Sequence, residues 1–113
     1  MNNKIYDCFT FFQENFITNL RFEILDKFVD YFVVCESLYD HRGNNKKLNF
    51  KLKNSKFKKK IIYLVYEEPF KNNNDRWVNQ AKQREYIFKG LSKAAPNDYI
   101  MFSDPDEIPR PDL

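Results

Sequence analysis

Four apolar runs punctuate a chain otherwise dense in lysine and asparagine, and between them the spacing of apolar residues lengthens from two to three and four. Residues 4–12 (KIYDCFTFF) and 30–36 (DYFVVCE) are short, aromatic or β-branched, and bounded by polar residues, as buried strands are. Between them Ile17, Leu20, Ile24 and Phe28 recur at intervals of three and four, which predicts a helix with one apolar stripe. Strand, helix, strand implies a right-handed crossover. After a polar loop containing Gly43, residues 48–59 read as a basic helix, and residues 61–67 (IIYLVYE) as a third strand that Pro69 ends. The run NNND supplies turn chemistry and a cap for a helix over 77–93, and AAPND breaks that helix ahead of a fourth strand over 99–102. Such alternation predicts an α/β domain with a mainly parallel sheet and flanking helices, in which ligands gather at the carboxyl ends of the strands.

Composition sharpens this picture at a few points. At 113 residues the chain is one domain, and twelve Phe and seven Tyr against two Gly argue for a packed core and against a linker. The net charge of +3 is concentrated in KLKNSKFKKK, residues 51–60, whose lysines lack interleaved Arg and Gly, so a solvated face is expected and no nucleic acid partner. No apolar run approaches the roughly 20 residues of a membrane span, and the opening MNNK does not read as a signal peptide. A soluble, cytoplasmic protein is the expectation, with Cys8 and Cys35 as buried reduced thiols. His41, in the polar segment DHRGNN, is expected in a surface loop without a catalytic role.

The chemistry gathers at SDPDEIPRP. Ser103, Asp104, Asp106 and Glu107 leave the carboxyl end of the fourth strand, whose YIMF is apolar on both faces, so the carboxylates are expected to emerge at the rim of the sheet. Pro105 and Pro109 restrict the turn. Such a loop suits a hard divalent cation that bridges to a diphosphate; the alternative is an acidic turn in which Asp104 or Asp106 caps a helix. In the helix over 77–93, Trp77, Ala81, Arg84, Phe88 and Leu91 fall near one face. A guanidinium on an apolar face needs an anion, either a carboxylate of the fourth-strand loop or a ligand phosphate.

The order of these segments carries a resemblance. YDCFTFFQE, VDYFVVCES, GNNKKLNF, WVNQAKQR and SDPDEIPRP resemble the successive motifs of glycosyltransferase family 17, the β-1,4-mannosyl-glycoprotein β-1,4-N-acetylglucosaminyltransferase family, over nearly the whole chain. The resemblance implies a Rossmann-like GT-A fold, and for residues 1–113 its nucleotide-sugar-binding portion. It implies a UDP-sugar donor, UDP-N-acetylglucosamine by family, a glycan, glycoprotein or glycolipid acceptor, and a divalent metal, Mn2+ or else Mg2+. Asp104 and Asp106 match the two aspartates of the DXD motif, Asp106 as direct metal ligand and Asp104 toward ribose or a metal-bound water. Thr10 and Glu36, at the ends of the first and second strands, are implied beside the nucleoside, and Arg84 beside the donor or the loop carboxylate. The chain departs from the family pattern near Arg84, at Gln80 and Glu85. A catalytic base is expected beyond Leu113, so the chain reads as a donor-binding half. Two other readings stand beside this one: a phosphatase of the haloacid dehalogenase type, and a non-catalytic basic scaffold module.

Overall fold

The computed structural model describes residues 3–39, 44–67, 76–104 and 106–109, except for the side chains at 76, 77, 79 and 80. His41, Gly43, Pro69, the NNND run at 72–75 and Pro105 lie outside the described residues, as does the side chain of Trp77. The chain runs β1 (Ile5–Phe11), α1 (Asn15–Leu25), β2 (Tyr31–Ser37), a 3₁₀ segment (Ser55–Lys60), β3 (Ile61–Tyr66), α2 (Arg76–Tyr86) continued by a 3₁₀ segment (Ile87–Leu91), and β4 (Tyr99–Ser103). All pairings are parallel, in the order β3-β2-β1-β4.

That order moves outward from β1 to β3 and then crosses back to the other side of β1. Right-handed crossovers in opposite directions must lie on opposite faces, and the core divides accordingly. On one face Phe9, Phe11, Phe32 and Val34 of the sheet meet Phe22 and Leu25 of α1, together with Val29 and Phe57. On the other, Tyr6, Cys8, Val33, Cys35 and Tyr66 meet Ile87 beyond α2. Alternate residues of β1 and β2 thus serve alternate faces, as a doubly covered strand requires.

Two aspartates set the register. Asp30, just before β2, accepts the Ile5 N–H at 2.8 Å through its carboxylate, and Asp98, just before β4, accepts the Lys4 N–H at 2.9 Å. Each strand beside β1 is therefore preceded by a carboxylate that fastens it to the start of β1. Backbone hydrogen bonds from Lys4 and Ala95 hold the Asp98 carboxyl below its ordinary range.

Two expectations need correction. The buried stripe of α1 is Thr18, Arg21, Phe22 and Leu25, whereas Ile24 and Phe28, expected inside, are 40% and 49% exposed. Residues 48–59 do not form a helix before Ser55. Their apolar residues recur at a spacing of two, which suits an extended chain: Phe50 and Leu52 pack on the core while Lys51 and Lys53 face outward. Asn15 and Asn19 on α1 bind this extended backbone as a second strand would, accepting from the N–H of Lys51 and Lys53 and donating to the C=O of Asn49 and Lys51. β4 is an edge strand of the described sheet, with Ile100 and Phe102 exposed although its residues are apolar on both faces.

Gly90 marks the closest approach of the α2 continuation to the sheet: a Cβ there would stand 2.7 Å from Val33 Cγ1 and 3.1 Å from Leu64 Cδ1. Gly90→Ala is expected to destabilise by about 1–3 kcal/mol through overpacking. Chemical denaturation checks this, and an unchanged midpoint would show that the segment can shift away.

Cys8 and Cys35 are free and buried, and burial pushes both thiols up to about 12. An unfolded thiol ionises near about 8.5, so between these values the unfolded chain holds fewer protons than the folded one. Their contribution to stability is whole below about pH 8.5 and falls as pH rises toward 12. Thiol titration at pH 8 is expected to find both groups in urea and neither in the folded protein; rapid labelling of the native chain would contradict it.

Candidate functional site

The reversal of strand order falls between β1 and β4, and an open α/β sheet binds ligands outside the carboxyl ends of its strands at such a point. The acidic segment leaves β4 at that place. It forms a tight turn in which the Glu107 N–H donates to the Asp104 carbonyl at 3.0 Å, while the Glu107 carboxylate accepts the Asp104 N–H at 3.1 Å. Glu107 thereby serves the turn itself. Asp106 is exposed, and its carboxylate has no partner among the described residues.

Beneath the turn lies Arg21, which is fully buried. Its Nε donates to Asp7 Oδ2 at 2.6 Å and its Nη2 to Asp7 Oδ1 at 2.7 Å, a bidentate pair with an equally buried aspartate in the middle of β1. Its Nη1 donates to the carbonyls of Glu107 at 2.9 Å and Asp104 at 3.3 Å, and Nη2 also donates to the Ser103 hydroxyl. These bonds use all the donors a guanidinium carries, and Phe9 stacks beneath it at 4.4 Å. Sequence reasoning did not single out Arg21 or Asp7. The signal was a charge of opposite sign inside each of two apolar runs.

Arg84 reaches the same turn from α2, on the other side of the sheet. Its Nη2 donates to Asp104 Oδ1 at 2.9 Å, with both side chains about half exposed, and its guanidinium lies over Phe102. The expected pairing of Arg84 with the fourth-strand loop is thus present. The expected face is not: Gln83, Ile87 and Gly90 are buried, while Ala81, Arg84 and Phe88 are exposed. Gln83 instead donates to the Cys35 carbonyl at 2.9 Å.

Glu36, at the end of β2, is fully buried and surrounded by donors. Its carboxylate accepts from Lys46 Nζ at 2.7 Å, the N–H groups of Asn49 and Phe50 at 2.6 and 3.0 Å, and the Tyr63 hydroxyl at 2.6 Å. Burial and the bond to Glu36 raise the Tyr63 phenol above its ordinary range. The carboxylate therefore pins residues 46–50 across the ends of β2 and β3. Thr10 is half-buried and belongs to the Tyr6–Cys8 series on the α2 face, whereas Glu36 belongs to the Phe32–Val34 series on the α1 face. The structure thus gathers Asp104, Asp106 and Arg84, and no hydrogen bond among the described residues joins Thr10 or Glu36 to them.

No three described His, Cys, Asp or Glu side chains form a group that could hold a metal. The exposed carboxylates of Asp104 and Asp106 offer hard oxygen ligands, which fit a cation whose remaining ligands come from a bound diphosphate and water. No helix among the described residues is long and apolar enough to cross a membrane.

The profile of Glycosyltransferase family 17 matches residues 1–113. The β-1,4-mannosyl-glycoprotein 4-β-N-acetylglucosaminyltransferase of Homo sapiens is 31% identical over 106 residues, covering 85% of this chain and 20% of that protein. Its Mus musculus counterpart is 30% identical over the same length and shares. The chain therefore spans about a fifth of the length of these relatives. No solved structure matches it at a significant level.

Proposed function

The chain belongs to glycosyltransferase family 17, and from that premise we propose that it is the donor-binding part of a GT-A enzyme that uses a UDP-sugar and a divalent metal. By the names of its relatives the sugar is N-acetylglucosamine and the acceptor a glycan. Asp104 and Asp106 would hold the cation, Mn2+ or Mg2+. When bound, the cation stabilises the charge that builds on the departing diphosphate. Arg84, beside Asp104, would pair with diphosphate oxygens, Thr10 would lie at the strand ends near the nucleoside, and Glu36, on the opposite face, would act there only through residues 46–50, which its carboxylate holds. The observation that carries this reading is the acidic turn at the strand-order reversal, with its main chain anchored and the Asp106 carboxylate exposed and without a partner among the described residues. The phosphatase reading puts its nucleophilic aspartate on the first strand. Here Asp-x-Asp follows an edge strand, and the aspartate of β1 is locked to Arg21.

Calorimetric titration of UDP with and without Mn2+ tests the proposal. Asp106→Ala is expected to abolish the metal-dependent part of the affinity and leave the fold intact, because an exposed turn carboxylate contributes little packing. Unchanged metal-dependent affinity in the variant would remove Asp106 from the site.

A further inference from the structure

We propose that Arg21 and Asp7 are positioning residues of the donor site: together they form a buried strut that sets the acidic turn, so that the carboxylates of Asp104 and Asp106 stand ready for a cation. The inference rests on the metal and donor reading above, and it is carried by how the guanidinium distributes its bonds. One edge is spent on Asp7 and the rest on the Glu107 and Asp104 carbonyls and the Ser103 hydroxyl. Arg21 therefore touches the turn only through its main chain and Ser103, and it draws on neither Asp104 nor Asp106 as a carboxylate partner. Asp7 balances the charge, so the strut does not compete for the incoming cation. A lysine in its place carries three donors on one nitrogen and cannot reproduce the five bonds of the fork to Asp7, the two carbonyls and Ser103. The strut also explains why a buried ion pair stands in an otherwise aromatic face, where apolar residues of the same volume would fold as well or better.

That last point supplies the test. The double variant Asp7→Leu/Arg21→Met replaces the pair with apolar groups and is expected to keep or raise the thermal midpoint. Its Mn2+-dependent affinity for UDP should nevertheless fall on the order of 10–100-fold, as losses of groups that orient metal ligands do. Its Glu107 amide, bonded to the Asp104 carbonyl in the turn, should exchange with deuterium faster than in the unsubstituted chain, a readout that needs no ligand. Arg21→Lys is the second variant, should the double variant fail to fold. A variant that is stable, binds UDP and Mn2+ as the unsubstituted chain does, and keeps Glu107 protected would overturn the proposal. If the unsubstituted chain shows no metal-dependent UDP binding, the donor reading fails on its own account. Exchange at Glu107 then still decides whether the strut orders the turn: unchanged protection in the variants refutes it.

Discussion

Asp7→Ala is expected to destabilise the fold by about 3–5 kcal/mol, the cost of breaking a buried ion pair by removing one partner. The methyl group would leave the Arg21 guanidinium at 0% exposure without its carboxylate. Water cannot reach it, and the Glu107 and Asp104 carbonyls and the Ser103 hydroxyl supply dipoles but no counter-charge. A small domain has only about 5–15 kcal/mol in hand, so the variant should be partly unfolded near physiological temperature. Equilibrium urea unfolding measures this directly. A loss under about 1 kcal/mol, the scale of an exposed ion pair, would mean that water or a rearranged carboxylate replaces Asp7.

Glu36→Ala is the second large effect, again about 3–5 kcal/mol, and it is informative in a different way. The carboxylate answers four donors, two of them main-chain N–H groups that have no acceptor inside a helix or sheet. Its removal should free residues 46–50 from the ends of β2 and β3 and expose the Phe50 ring, which stacks on Tyr63 at 5.1 Å. The loss belongs to the ligand-free protein. A variant that keeps its stability and loses only UDP affinity would show that Glu36 acts on the nucleoside and not on the loop. Protein spectra of the free and UDP-bound variant, compared with the unfolding midpoint, separate the two outcomes.

The strands were legible in the sequence to within a residue or so, because short aromatic runs between polar ones leave little choice. The helix faces were not. In α1 the buried stripe passes through Thr18 and Arg21, so a search for apolar periodicity settles on Ile17, Leu20, Ile24 and Phe28, one step around the cylinder. Along α2 and its 3₁₀ continuation the buried stripe holds Gln83 and Gly90, again invisible to hydrophobicity. The 48–53 stretch failed for the opposite reason: its period of two was present, but a lysine-rich composition favoured a helix. Around the acidic turn, the pairing of Arg84 with Asp104 could be read, because a guanidinium and a carboxylate displayed at the surface leave few other partners. Asp7 and Arg21 could not, since their pairing depends on a crossover that brings positions 14 apart onto one side of the sheet.

The attachment of β4 has a consequence for how the molecule acquires its site. The bond from the Lys4 N–H to Asp98 joins positions 94 apart, nearly the whole chain. Contacts of that span close late, after β1, β2 and β3 can already pair through shorter loops. As an edge strand with one neighbour, β4 is also among the elements expected to detach first in local opening. The acidic turn therefore rides on a strand that docks after β1, β2 and β3 and is among the first to open. The pairing on which it depends is made anew with each such opening, and a ligand held by the turn would shift that balance toward the closed sheet.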